Sequence, residues 1–462
     1  MLALEPFLEP KTIAVIGASN TPDKPGYMLV QNLLNSGFPG KVYAVNRRGD
    51  DILGLKGYKS VKDIPGEVDL ADVIVPSVEA ITALKDCAGK GVKAALIAPG
   101  GFAEMGMVGA GLEKEIVDIT RHSRMRVIGP NTVGWLNTAN DLINVFAWIE
   151  RPKRGCISVI AQSGGICLSP LIWLREYNVG FSKLIGMGNK CDIDETDALQ
   201  YLAADPETRV IGLYLEDIKD GQRFLKVARV VAKEKALVVF KSGRTEAGKK
   251  ATRSHTAALA GDDDVYESAF RQSGIIRVET LEEFFDYLRV FACQPLPQGN
   301  RTAVLGTSGG HGVLAADALE RHGLKLAELS PQTIEHITKP YSFITSVMNP
   351  VDLGPITSPD VYEHVIEALL ADENVDGMVL AVFFWLSDLV KISEILIRQV
   401  ERNQGKPVTF CGAGFTGVVE GIEEALGSVE EAGIPIYPSP ERAVGALGAL
   451  YRRQENLRAL SG

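Results

Sequence analysis

Cysteine is sparse in this sequence, with six in 462 residues and no two of them in a CxxC pair. Cys87, Cys156, Cys167, Cys191, Cys293 and Cys411 are scattered, which argues against the disulfide frameworks of small secreted domains. The six histidines are equally dispersed, so no local metal-ligand cluster is expected. Positive charge is short as well: 48 Lys and Arg against 58 Asp and Glu leave a formal charge of −10. A general nucleic-acid binder needs a basic surface, so that class is set aside. The longest apolar run, Met378 to Leu386, falls far below the ~20 residues that span a bilayer and predicts a strand buried on both faces. Met1 to Pro10 has two glutamates, two prolines and no apolar core, so it does not read as a secretory signal. A cytoplasmic protein with no membrane and no nucleic-acid partner is the expectation.

What is present is an ordinary globular composition, 46% hydrophobic and 23% charged, in a length that predicts about three domains. Apolar β-branched runs alternate with amphipathic stretches, which predicts an α/β protein with parallel sheets and helices on both faces. Polar, proline-bearing seams at Glu150–Gly155 and Gln294–Asn300 divide it into 1–148, 149–294 and 300–462. The second and third parts look like copies. Ile157 to Gly165 matches Thr302 to Gly310, each ending in Ser-Gly-Gly, and two further matches follow in the same order. The copies differ where chemistry would lie. Glu216 ends a strand in one, where Phe383 stands in the other; Phe240 runs into Lys241 and a histidine segment, where Phe410 runs into Cys411.

That segment, Lys241 to Gly261, carries small and basic residues around His255 and reads as a surface loop. Ser163-Gly164-Gly165 and Ser308-Gly309-Gly310 each follow a strand and open a helix, where free N–H groups and a dipole end of about +0.5 charge favour anions. Two such termini on one phosphate would offset roughly one unit of its charge of about −2. A carboxylate at a strand end, Glu216, suits the orienting of an imidazole that bonds phosphorus through its other nitrogen. His255 therefore reads as a phosphate carrier. Taken singly, it also reads as a solvated loop residue, and each Ser-Gly-Gly as a tight turn. His311 is the rival imidazole; His122, His322, His336 and His364 fall in helices or their ends.

The first part resembles a Rossmann unit, but its loop from Gly17 to Gly26 has no GxGxxG, and strand two ends in Val45-Asn46-Arg47-Arg48 rather than an acid. Basic residues there favour a ligand with an extra ribose phosphate, coenzyme A or NADP, and the missing third glycine favours coenzyme A.

Ser254-His255-Thr256 in its Lys-Ser-Gly-Arg-Thr-Glu-Ala-Gly context, the Val-Ile-Gly-Ala-Ser start and Gly-Pro-Asn-Thr-Val-Gly closely resemble the nucleotide-diphosphate-forming acyl-CoA synthetases, relatives of succinyl-CoA synthetase. The likeness covers all three parts. It implies a Rossmann-like CoA-binding domain followed by two duplicated flavodoxin-like parallel-sheet domains. It implies acyl-CoA + ADP + phosphate ⇌ carboxylic acid + ATP + CoA, through an acyl phosphate and a phosphohistidine at His255. Glu216 would steady the histidine, and both Ser-Gly-Gly termini would bind phosphate. Coenzyme A would contact Gly17, Ala18, Ser19, Arg47, Arg48, Val75, Pro76, Gly100, Phe102 and Asn131. Only a short helical tail follows Glu441, so ADP or ATP and Mg²⁺ are expected on a β subunit with an ATP-grasp domain, in an α2β2 heterotetramer. Two other readings stand beside this one, an NADP-dependent oxidoreductase and a non-catalytic CoA-sensing module. The acyl group is left open.

Overall fold

Thr12–Ile16 (β1) is buried almost throughout and founds a parallel sheet with Lys41–Val45 (β2), Gly57–Tyr58 (β3), Leu70–Val73 (β4), Ala94–Ile97 (β5) and Arg126–Ile128 (β6). Every residue of β4 and β5 is buried, as strands covered on both faces require. Their order is β3-β2-β1-β4-β5-β6, the doubly wound arrangement in which direction reverses between β1 and β4. The computed structural model describes residues 4–175, 177, 179–256, 262–341, 344–356, 358–383, 389–413 and 421–461.

A second sheet joins Gly134–Asn137 (β7), Leu142–Val145 (β8), Arg154–Ala161 (β9), Phe181–Gly186 (β10), Val210–Leu215 (β11), Ala236–Lys241 (β12) and Ile276–Val278 (β13). The order is β13-β12-β11-β9-β10-β7-β8, with β7 antiparallel to β10. The third sheet holds Arg301–Gly306 (β14), Lys325–Leu326 (β15), Val351–Asp352 (β16), Gly377–Phe383 (β17), Val408–Ala413 (β18) and Ile436–Tyr437 (β19), ordered β15-β14-β17-β18-β19 with β16 beside β14. With the short β16 set aside, the parallel strands of the second and third sheets follow one order, 2-1-3-4-5, the flavodoxin-like winding. Met378 to Val382 is buried along β17, as its apolar run predicts. Separate apolar clusters cover the two faces of the third sheet, one around Val351, Val365 and Leu396, the other around Ala318, Val444 and Leu447.

Strand register fixes which positions of the copies correspond. Tyr214 stands opposite Ala161 and Phe240; Ala381 stands opposite Gly306 and Cys411. Glu216 therefore corresponds to Phe383, as expected. Lys241 corresponds to Gly412 rather than to Cys411, because the pairing is offset by one residue from the apparent sequence match.

The three sheets fall into two compact units: Met1–Arg175 with Val179–Glu279, and Thr280–Gly462 with Glu176–Asn178. The first two sheets share a unit because the hairpin β7–β8 extends the second sheet while packing on the first part of the chain. Asn32 Nδ2 donates to the Val145 and Ala147 carbonyls at 2.6 and 2.9 Å, and Asn144 Nδ2 donates to Asp72 at 2.9 Å.

One expectation changes. The segment after Lys241 reads as a loop, yet Glu246–Thr256 is a helix. Thr245 caps it, its hydroxyl accepting the Gly248 N–H at 3.1 Å, and Glu246 pairs with Lys249 one turn on at 2.9 Å. Small size and charge, which signal exposure, are also compatible with a surface helix. Residues 257–261 lie outside the described residues.

Candidate functional site

Beyond the C-terminal ends of β1, β2 and β4 lies a cleft of about 870 Å³. Gly17, Ala18, Ser19, Arg47, Arg48, Val75 and Pro76 all line it, together with Lys24, Asn46, Lys59, Glu79 and Asp86. This is the switch point at which doubly wound sheets bind ligands. Gly17 has φ +104°, and a Cβ on it would meet the Ile74 carbonyl at 2.4 Å. Gly26 is equally constrained, since its Cβ would lie 2.0 Å from the Gly17 carbonyl. The long loop between these glycines thus keeps the close helix approach of a dinucleotide fold without its spacing. Where such folds place an acid, Asn46 accepts the N–H groups of Arg48, Gly49 and Asp50 at 3.1, 2.9 and 3.2 Å. That turn presents Arg47 and Arg48 to the cleft, and Arg47 is paired with Glu79.

Gly100, Phe102 and Asn131 do not line that cleft. A Cβ on Gly100 would be 3.3 Å from Asn131 Oδ1, so these two adjoin one another. Asn131 also reaches Asn189, its Nδ2 donating to Oδ1 at 3.4 Å. Phe102 is fully buried in the core of the first sheet, where its side chain packs.

On the second sheet, Ser163 is the N-cap of the helix Gly164–Trp173 and makes no side-chain capping bond. The first-turn N–H groups have no partner within the helix. Gln162, the residue before it, binds this helix start to the end of β11. Its Oε1 accepts the N–H of Glu216 at 3.0 Å and of Asp217 at 3.3 Å, while its Nε2 donates to Asp217 Oδ1 at 2.8 Å. Glu216 is buried, and its carbonyl accepts Lys241 Nζ at 2.7 Å. Lys241, which starts the segment leading to His255, also donates to the Ser242 carbonyl at 2.6 Å and lies 4.6 Å over the Tyr266 ring. Burial pushes its amine down to about 8.

Beneath this lies Lys190, its Nζ on Glu195 Oε2 at 2.9 Å and Asp217 Oδ1 at 2.6 Å. Burial alone would lower the amine and raise the Asp217 carboxyl, and their pairing reverses both shifts. Glu195, fully buried, stays raised. The nearest thiol on the helix, Cys167, is pushed up to about 12 by burial, so it is no nucleophile near neutral pH. The sequence reading names Ser163, Gly164, Gly165 and Glu216 but misses Gln162, Lys190, Asp217 and Lys241. His255 lies on the backbone of the helix Glu246–Thr256.

In the second unit, Ser308 is the N-cap of Gly309–Arg321, again with no side-chain cap. A Cβ on Gly309 would stand 3.3 Å from Asp352 Oδ2, so a carboxylate adjoins this terminus. Among the described residues, no group of three or more His, Cys, Asp and Glu gathers to hold a metal ion, and no helix is long and apolar enough to cross a membrane. No disulfide joins the six cysteines.

Residues 11–138 match the family model for a CoA binding domain, 154–291 that for a succinyl-CoA ligase like flavodoxin domain, and 302–461 that for a ligase-CoA domain. The chain is 41% identical over 459 residues to the acetate–CoA ligase [ADP-forming] II subunit alpha of Pyrococcus furiosus, covering 98% of each. The chain belongs to the ADP-forming acetate–CoA ligase family. To this ligase family also belongs acetate–CoA ligase [ADP-forming] II of Archaeoglobus fulgidus, 41% identical; the alignment covers 96% of this chain and 66% of that one. The solved structure of Candidatus Korarchaeum cryptofilum dinucleotide forming acetyl-coenzyme A synthetase 1, in complex with phosphate and ADP, superposes with a TM-score of 0.92 at 34% identity, covering 100% of this chain and 99% of that one. The ligase family thus expected from the histidine motif, and the CoA-binding and flavodoxin-like order of its parts, are both found.

Proposed function

We propose that the chain is the α subunit of an ADP-forming acyl-CoA synthetase that carries phosphate on His255. Phosphate oxygen attacks the thioester carbonyl; the C–S bond breaks, and coenzyme A leaves as the thiol with the proton that phosphate gives up. The imidazole of His255 then attacks phosphorus and the carboxylate departs. ADP takes the phosphoryl group in turn, forming ATP and freeing the ring.

The observation that carries this reading is the Gln162 bridge. It joins a glycine-started helix terminus to the backbone N–H of the buried Glu216, whose carbonyl Lys241 ties to the His255 segment. Glu216 is the group to orient the imidazole, and Ser163–Gly165 supplies N–H groups for phosphate. Ser308–Gly310 is proposed as a second phosphate terminus, on its own unit. Coenzyme A takes the switch-point cleft, with Arg47 and Arg48 toward its ribose phosphate, while Gly100 and Asn131 serve its reactive end and Phe102 only supports them. The functional parts follow 1–148, 149–294 and 300–462.

A β subunit with an ATP-grasp domain completes the enzyme, holding ADP or ATP and Mg²⁺, in an α2β2 assembly in the cytoplasm. The relative that is 41% identical over 98% of each chain is named a subunit alpha, which supports a partner subunit. Of the rival readings, a CoA-sensing module leaves Glu216, Gln162 and His255 without a use, and an NADP-dependent oxidoreductase leaves the second and third sheets without one.

Two measurements test the proposal. Calorimetric titration is expected to show heat with coenzyme A and none with NADPH. Mixing with acetyl-CoA is expected to release thiol only when phosphate is present. Thiol release that ignores phosphate contradicts the scheme.

A further inference from the structure

The helix Glu246–Thr256 that bears His255 rests on a short turn of the first part of the chain, Ala103–Met105. That turn is held from several directions. Glu104 Oε1 accepts the N–H groups of Gly101 and Phe102 at 2.6 and 3.1 Å, and its Oε2 accepts Asn189 Nδ2 at 2.7 Å. Glu113 Oε2 accepts the same amide at 3.0 Å and the Ala103 N–H at 3.3 Å. Phe102 anchors the turn in the core, and Gly109 lets the next helix close on it, since a Cβ there would fall 1.9 Å from the Phe102 carbonyl.

The same bonds connect the half-buried turn to the end of the strand that carries Glu216. Asn189 precedes Lys190, which grips Asp217 beside Glu216. Lys219 Nζ reinforces the junction by donating to the Asn189 carbonyl at 3.2 Å. Glu104 is held below the ordinary carboxylate range; partial burial would raise it, and the bonds from Asn189, Phe102 and Gly101 outweigh that. Glu104 thus belongs to the turn that this helix contacts, and the helix sequence holds Lys249, Lys250 and Arg253.

We propose that the Glu104 turn is the seat of the histidine-bearing helix during the acyl-phosphate half of the cycle, with Glu104 as its positioning residue. The inference rests on His255 being the phosphate carrier and adds where its helix docks. A seat of this kind matters only while the histidine faces the acyl group; transfer to ADP takes place elsewhere.

The test is therefore asymmetric. In the complex with its nucleotide-binding subunit, His255 is labelled either from acetyl-CoA with labelled phosphate or from γ-labelled ATP. Glu104→Ala is expected to slow labelling from the acyl side about tenfold, as a misplaced reacting group does, and to leave labelling from ATP within about twofold. Glu104→Gln, which keeps an oxygen for the two N–H groups, is expected to recover most of the acyl-side rate. If the alanine variant does not fold, Glu104→Asp, whose shorter side chain draws the carboxylate away from Asn189, is read in its place: loss confined to the acyl side supports the seat. Equal loss from both sides, or no loss from either, overturns it. Absence of label on His255 in the unaltered protein would instead overturn the carrier assignment itself.

Discussion

Gln162 accepts the backbone N–H of Glu216 at 3.0 Å, which ties the start of a glycine-led helix to the end of a buried strand. In the proposed reaction, phosphate at the helix and the carboxylate that orients the imidazole must keep a fixed separation, and this amide is the group assigned to set it. Gln162→Leu keeps the volume and removes the bridge. The expected result is a fall of about tenfold to a hundredfold in phosphoryl transfer with coenzyme A binding unchanged, measured by rapid-quench labelling and calorimetry.

Glu79 pairs with Arg47 in the switch-point cleft and competes with an anionic ligand for that guanidinium. Both groups are solvent-exposed enough for the pair to be worth little. Glu79→Gln is therefore expected to lower KM for coenzyme A by only about two- to fivefold at low salt, with the gain fading as salt screens the cleft.

Gly26 lets the helix Pro25–Asn35 approach the Gly17 turn, where a Cβ would sit 2.0 Å from the carbonyl. Gly26→Ala is expected to cost about 1–3 kcal/mol in urea unfolding and to weaken coenzyme A binding, because helix or turn must shift at the cleft wall.

Asp72 is fully buried in β4, and burial raises its carboxyl to about 7. Asn144 Nδ2 donates to its Oδ1 at 2.9 Å. With the folded value above the unfolded one, the native state binds the extra proton, so stability is greatest below about pH 4 for this group and is lost as pH rises through 7. The full effect is on the order of 4 kcal/mol. Asp72→Asn is expected to flatten the pH dependence of urea unfolding between pH 4 and 7, and an unchanged slope would contradict the assignment.

Much of the architecture is legible in the residues themselves. β5 and β17 are buried on both faces, so their apolar runs are unbroken, and the repeated Ser-Gly-Gly after β9 and β14 marks a duplicated strand-to-helix turn. The supports of the site are not legible, because Gln162, Lys190, Asp217 and Lys241 act through partners up to dozens of residues away. Phe102 is a coenzyme A candidate only through the family resemblance; its side chain is buried in the core, where Gly109 lets the next helix close on it. The hairpin Gly134–Val145 reads as the end of the first part, while its strand pairing belongs to the second sheet. The helix under His255 was hidden by its own polarity.

The most direct test of the account is the chemical fate of phosphorus. The chain is incubated with acetyl-CoA and labelled phosphate, and acid-labile label is mapped to its peptide. The account predicts label on His255, none in His255→Ala, and short-lived label in Glu216→Ala. Label on His311, or no label with any acyl-CoA, would contradict it.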